Sequence, residues 1–296
     1  MQFIIYLLVY PILWLVSILP FPVFYFLSDC IYVLVYRVIG YRKKVVRENL
    51  KLTLPHLSEA ERLKVEKKFY KHMCDMFLEM IKTLTISKKE MQKRFTFTNL
   101  ELFHEYEKKN KSIILFYAHY ASYEWSITLG THIDFKGYGI YKKIQNKYFD
   151  ELVKRIRSKF DAVLIDTKRT VKTVTENQEQ GILGVYGFIS DQNPVPHRTH
   201  YWDTFMGHVV PIHTGGEFLA KTLNMNVLYM KVEKIKRGYY SATFVPITDD
   251  VQALPEFEIS RRFIREVEKQ IYDAPEYYLW THKRWKHRNK KPKKAQ

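Results

Sequence analysis

The residue types able to do chemistry gather in the stretch from Lys111 to Gly130, KSIILFYAHYASYEWSITLG, where His119 and Glu124 stand five apart. An imidazole with one ring nitrogen bonded to a carboxylate has its tautomer and orientation fixed, and its other nitrogen can take a proton. A neutral base of that kind suits activation of an alcohol, with the carboxylate stabilising the imidazolium that forms. The spacing sets a condition. Residues five apart point in different directions on a helix and to opposite faces on a strand, so a His119–Glu124 contact requires a corner in the chain.

The neighbouring residues predict such a corner. Ser112 to Tyr117 is a short apolar run that reads as a buried strand, and Tyr123 to Leu129 has helical spacing. His119 then falls in the turn between them, at the carboxyl end of a sheet where α/β sites usually form, and Glu124 falls in the first helical turn. A plainer alternative is that His119 caps the corner and Glu124 is a solvated acid favoured by the helix dipole.

Further candidates follow along the chain. YKKIQNKYFDELVKRIRSKF carries Lys142, Lys143, Arg155 and Arg157 in the connections after the motif strand. The planar fork of arginine suits a phosphate, while a solvated basic helix face is the alternative. Because Arg155 and Arg157 diverge on a helix, Arg157 is expected nearer the catalytic cleft and Arg155 at the core edge or facing a carrier. SDQNP, Ser190 to Pro194, follows an apolar strand, so Asp191 and Gln192 either line a substrate cleft or make a Pro-bounded turn. His197, His200, His208 and His213 cluster in a loop-like region as candidate metal ligands. No HExxH pattern, no G-x-S-x-G elbow and no metal or redox spacing of Cys30 and Cys74 is present.

Composition narrows the partners. The chain has 48 basic and 31 acidic residues, a net charge of +17, with a large aromatic share. That balance favours an anionic partner: a membrane surface, an acidic carrier protein, a phosphorylated substrate or nucleic acid. The N-terminus is apolar almost without interruption from Phe3 to Leu19 and again from Val23 to Tyr36, around Asp29. The first run is just long enough to cross a bilayer, and the second has a length more typical of an interfacial or core helix. Arg37, Arg42, Lys43, Lys44 and Arg47 follow, which by the positive-inside rule leaves the rest of the chain in the cytoplasm. Residues 1–39 are therefore read as a membrane anchor or interfacial helices, and residues 40–296 as one domain with a basic tail. A buried helical hairpin of a soluble domain is the alternative.

Leu54 to Thr85 reads as an amphipathic helix opened by a Ser58/Glu61 capping box, and Ser87 to Phe103 as a polar connector. Beyond the motif, strands near Gly137–Tyr141, Ala162–Ile165, Ile182–Tyr186, Asn226–Val232 and Tyr240–Val245 alternate with helices near Lys147–Lys159, Thr170–Glu179, Thr214–Leu223 and Phe257–Tyr272. That alternation predicts an α/β fold, with a mostly parallel central sheet flanked by helices and an N-terminal helical segment anchoring it to a membrane.

Five blocks taken in order resemble the bacterial lipid A biosynthesis (lauroyl/myristoyl) acyltransferase family. AHYASYEW is similar to its His-x4-Glu block, and the cationic stretch to its Tyr-Arg-x-Asn block ending in Arg-x-Arg. SDQNP is similar to its Asp-Gln segment, TFMGHVVPIHTGGEFLAKTLNMNVL to its Phe-x-Gly, Thr and small-residue helix, and APEYYLWTHKRWKHR to its closing signature. Lys142 stands where the family often has Arg, and Tyr120, Ser122 and Tyr123 depart from the commoner Asn-containing filling.

The resemblance implies an enzyme on the cytoplasmic face of the bacterial inner membrane. It would move a fatty acyl chain from acyl carrier protein to a hydroxyl of a lipid A precursor, a phosphorylated glucosamine lipid, in lipopolysaccharide biosynthesis. His119 falls at the catalytic base, Glu124 at its partner, and Arg155 and Arg157 at the paired arginines. Transfer is expected to be direct, without an acyl-enzyme, with Ser122 the outside candidate for a nucleophile. Backbone amides at the Ser122 to Trp125 helix start are available to the oxyanion. No metal and no nucleotide cofactor is called for. Other lipid acceptors, phospholipid, amino-acid lipid or glycolipid, are the nearer alternative. A membrane-tethered nucleic-acid-binding protein is the distant one, and it leaves the ordered blocks unexplained.

Overall fold

A computed structural model of the chain describes residues 2–194, 199–288 and 290. Its centre is a seven-stranded sheet of β1 (Phe95–Phe97), β2 (Ile113–Tyr117), β3 (Lys136–Tyr141), β4 (Val163–Asp166), β5 (Gly184–Ile189), β8 (Asn226–Lys236) and β9 (Tyr239–Thr248), in the order β1-β9-β8-β2-β5-β3-β4. The neighbours from β8 to β4 pair in parallel, and β8 meets β9 antiparallel. The fold is thus the α/β, mostly parallel, helix-flanked architecture that the alternation predicts.

The helix α4 (Glu59–Lys82) starts at the expected capping box: the Ser58 hydroxyl accepts from the Glu61 amide, and the Glu61 carboxylate accepts from the Ser58 amide. Its buried side carries Phe69, Tyr70 and Met73 into the core. On the opposite side of the sheet, α9 (Gly215–Thr222) approaches so closely that a Cβ at Gly216 would stand 2.6 Å from the Phe116 ring. Phe116 also stacks on Phe263 of α10 (Glu258–Asp273), with ring centroids 4.9 Å apart. The central strand β2 is therefore covered on both faces, as its continuous apolar sequence requires.

Two expectations are corrected. The segment read as a polar connector is ordered: α5 (Lys88–Arg94), then β1, then the start of α6 (Leu100–Glu107). The loop-like histidine region contains a hairpin, β6 (Tyr201–Phe205) and β7 (His208–Ile212), paired antiparallel. Met206 and Gly207 between them both have positive φ, 50° and 77°, as a two-residue hairpin turn of matching twist demands. The helical spacing after His119 becomes a 3-10 helix, Tyr123–Thr131.

The N-terminal segment forms α1 (Gln2–Ile18) and α2 (Phe21–Tyr32), the latter continuing as a π-helix, Val33–Ile39. Phe21–Ile39, rather than the first apolar run, is long and apolar enough to cross a membrane. Both helices pack on α4. The remaining elements are α3 (Lys43–Thr53), α7 (Lys147–Arg157) and α8 (Thr170–Glu179).

Candidate active site

Strands β2 and β5 are hydrogen-bonded neighbours with Tyr117 opposite Ile189. His119 and Asp191 each stand two residues beyond that pair, so parallel register brings them side by side at the carboxyl edge of the sheet. Asp191 Oδ1 accepts from the His119 amide at 3.1 Å and lies 2.8 Å from its Nδ1. A carboxylate can only accept, so Nδ1 carries the proton and Nε2 keeps its lone pair. Burial raises the Asp191 pKa, but the His119 charge and hydrogen bonds outweigh it and hold the carboxyl below its ordinary value. The Tyr123 ring packs against the imidazole in a T-shaped contact, centroids 5.0 Å apart, and fixes its remaining freedom.

This overturns the expected His119–Glu124 contact. Glu124 instead grips Arg157 in a bidentate pair, Oε2 to Nε at 2.9 Å and Oε1 to Nη2 at 2.5 Å. The first helical turn after the corner carries Glu124 toward the end of α7, where the arginine fork matches a carboxylate. Burial lowers the Arg157 pKa, but the Glu124 charge and hydrogen bonds raise it more, so the guanidinium stays charged. Asp191, read from sequence as a cleft-lining residue, is the carboxylate that orients the histidine. Gln192 follows it half-buried, while Lys142, Lys143 and Arg155 are exposed.

The corner itself is held by the C-terminal segment. Ala121 has φ of 47°, a left-handed conformation that costs a non-glycine residue on the order of 1 kcal/mol. Its amide donates to the Tyr277 carbonyl, and the His119 carbonyl accepts from the Leu279 amide, so the strained turn is clamped by backbone bonds on both sides. Asn49 donates to the Trp280 and His282 carbonyls from the other side of this strap.

The strap also contributes side chains that the sequence reading passed over. The Tyr278 hydroxyl lies beside Asp191, and burial and the Asp191 charge push its pKa well up. Arg284 is fully buried and donates through Nη1 to Asn193 Oδ1 at 3.0 Å. Burial lowers its pKa to about 10, opposed by the charges of Tyr278 and Asp191. The visible signal was a tyrosine, a histidine and an arginine embedded in an aromatic run, a pattern that places polar groups among rings packed in the core.

His282 shows a further property of this corner. Burial pushes its pKa down to about 4, and neighbouring Asp191 only partly offsets that. Between about pH 6.5 and pH 4 the folded state therefore binds fewer protons at this site than the unfolded chain. The stability it contributes is full above about pH 6.5 and is lost as pH falls toward 4. Denaturation midpoints at pH 7 and pH 5 should show a smaller acid-induced drop in His282→Gln than in the wild type. An equal drop in both would show that His282 titrates normally.

Among the described residues, His200, His208 and His213 do not assemble a metal site. His197 lies outside the described residues, and His208 Nε2 sits 3.1 Å from the Leu52 carbonyl. Among the described residues, the group whose ligand atoms converge is His104, Glu107 and Asp134. There Glu107 is already occupied by the His104 ring and the amides of Asp134 and Phe135. Ser122 is buried, and its hydroxyl has no hydrogen-bond partner among the described residues. It therefore lacks the adjacent base that a serine nucleophile needs.

An imidazole oriented by a buried carboxylate at the carboxyl edge of a parallel sheet, with a bidentate Glu124–Arg157 pair on the helical turn that follows, is an arrangement able to accept a proton from a hydroxyl. The chain belongs to the bacterial lipid A biosynthesis acyltransferase family, whose model it matches over residues 1–287, and it is an acyltransferase. It is 26% identical over 284 residues to the lipid A biosynthesis lauroyltransferase of Escherichia coli K12, covering 94% of this chain and 90% of that relative. The palmitoleoyltransferase of the same organism is 23% identical over 292 residues, 94% and 89% of the two chains. A lipid A biosynthesis acyltransferase of Haemophilus influenzae is 25% identical over 254 residues, 82% and 76%.

Proposed function

We propose that the chain transfers a fatty acyl group from acyl carrier protein to a hydroxyl of a lipid A precursor at the cytoplasmic face of a bacterial inner membrane. The observation that carries the mechanism is the 2.8 Å contact between His119 Nδ1 and Asp191, which leaves Nε2 as the proton acceptor. In this reading His119 takes the hydroxyl proton as the oxygen attacks the thioester carbonyl, and the protonated imidazole then gives that proton to the leaving thiolate. The bond to sulfur breaks as the ester forms, so no acyl-enzyme and no external cofactor is required. Amides at the start of the 3-10 helix, which have no partner inside it, can stabilise the oxyanion.

The acceptor is read from family membership and charge. A lipid A precursor brings phosphates, and Arg157 Nη1 is not used in the pair with Glu124. The +17 charge suits both those phosphates and the acidic surface of acyl carrier protein. The test is reconstitution of the full chain with acyl carrier protein thioester and a phosphorylated diglucosamine precursor, read by lipid mass spectrometry. Gain of one acyl group on the precursor is expected. Transfer to a lysophospholipid or an amino-acid lipid, with none to the precursor, would instead establish a different acceptor on the same scaffold.

A further inference from the structure

We infer that residues 2–39 lie in the plane of one membrane leaflet, as a two-helix platform with anionic headgroups around it, and do not cross the bilayer. The inference rests on the proposed membrane setting and settles what the apolar length of Phe21–Ile39 leaves open.

Each helix buries a single stripe along its length. On α1 the side chains turned to the body are Tyr6, Val9, Tyr10, Leu13, Val16 and Ser17, the spacing of one helical face. The outward side is apolar throughout, with Ile4, Leu8, Ile12 and Leu15 exposed. A platform with one face on protein and an apolar outer face fits a leaflet, because an exposed surface of this size and chemistry is not left to water.

What prevents crossing is the set of bonds on the inner stripe. Tyr25, Ser28 and Tyr36 donate in turn to Glu79, Asp75 and Glu66 of α4, at 2.8, 2.7 and 3.0 Å. The order is antiparallel, so the second helix lies along α4 from one end to the other. Arg237, from the turn between β8 and β9, binds Asp29 at 2.8 Å and Asp75 at 2.7 Å. Asp29 is near the middle of the candidate span. Lys82 caps the end of α1 through the Ser17 carbonyl at 2.7 Å and the Leu19 carbonyl at 2.5 Å. Moving this helix across a bilayer would either break all of these contacts or draw four carboxylates, an arginine and α4 itself into hydrocarbon, which membranes resist strongly.

The placement also serves the reaction. The start of α1 rests on α7, with Tyr6 against Tyr148 and Phe149 at centroid distances of 5.6 and 5.7 Å. That helix begins at the catalytic edge, beside exposed Lys142, Lys143 and Lys147. The leaflet surface is thereby brought to the carboxyl edge of the sheet, with cations at the headgroup depth.

Topology can be read on the full chain in native membranes, in a Cys30→Ser background that keeps the buried Cys74. Single thiols are placed by Gln2→Cys, Pro20→Cys and, as reference for the enzyme body, Lys290→Cys. They are labelled with a membrane-impermeant maleimide in spheroplasts and in inside-out vesicles. Gln2→Cys is expected to label from the same side as Lys290→Cys, and Pro20→Cys from that side or from neither. Labelling of either from the opposite side would overturn the inference, since a single crossing moves residue 2 and a crossing hairpin moves residue 20. Release by carbonate as a lipid-free dimer would also overturn it, showing that a second copy covers the apolar face. Flotation should favour vesicles of phosphatidylglycerol over phosphatidylcholine at least severalfold, and equal binding would contradict the headgroup assignment. Acyl transfer measured on the same variants reports the proposed reaction separately, so either reading can fail alone.

Discussion

His119→Ala is expected to lower acyl transfer by roughly a hundredfold or more, the scale of losing a positioned general base, with little change in folding. The side chain is partly exposed at the edge of the sheet, and its contacts are with Asp191 and the Tyr123 ring. Removing it leaves the Asp191 carboxylate bonded to the backbone amide of residue 119 and leaves the backbone bonds to Tyr277 and Leu279 in place, so the corner stays held. Turnover should fall with little change in the apparent Michaelis constants, because in the proposed mechanism the imidazole acts as the bond forms and not in holding either substrate. Wild-type turnover in His119→Ala together with a dead Ser122→Ala would replace direct transfer by an acyl-serine route.

Trp125→Ala should produce the largest loss of stability among single changes near the site, on the order of 3–5 kcal/mol. The side chain is fully buried, and its indole N–H lies 3.0 Å from the Glu79 carbonyl and 3.1 Å from the Thr83 hydroxyl. It meets Tyr240 edge-on at 5.9 Å. One residue thus ties the 3-10 helix after the His119 corner to both α4 and the sheet. Truncation opens a cavity and removes two hydrogen bonds, while the Glu79 carbonyl and the Thr83 hydroxyl keep their bond to each other. Trp125→Phe keeps most of the apolar burial and should cost clearly less. Chemical denaturation of the purified protein measures both, and a loss below about 1 kcal/mol for the alanine variant would show that the corner is held elsewhere.

The parts of this account that were legible in sequence are those written locally. A short apolar run followed by helical spacing located β2 and the turn holding His119, and Ser58 with Glu61 marked the start of α4. The same kind of signal was present at Ser87, whose hydroxyl accepts from the Glu90 amide, so α5 could have been read where a connector was expected. Met206-Gly207 between two β-rich runs likewise carried the hairpin. The partner of His119 was different in kind. Asp191 is 72 residues away, and it becomes a neighbour only because β5 inserts beside β2 in parallel register. No local window encodes strand pairing, and the nearer Glu124 had the right chemistry, so proximity in sequence stood in for proximity in space. The strap at Tyr277–Leu279 was missed for the same reason, since its bonds to the corner are visible only after the chain has closed.

The measurement that bears most directly on the proposed mechanism compares Asp191→Asn and Glu124→Gln under saturating donor and acceptor. An asparagine at 191 cannot select the Nδ1–H tautomer or balance an imidazolium, so its turnover should fall about as far as that of His119→Ala, on the order of a hundredfold or more. Glu124→Gln leaves that pair intact and loosens Arg157, so most of the turnover should survive while the acceptor's apparent Michaelis constant rises. If Glu124→Gln instead lost turnover to the level of His119→Ala while Asp191→Asn kept it, Glu124 would be the catalytic partner and the His119–Asp191 pair would only support the corner.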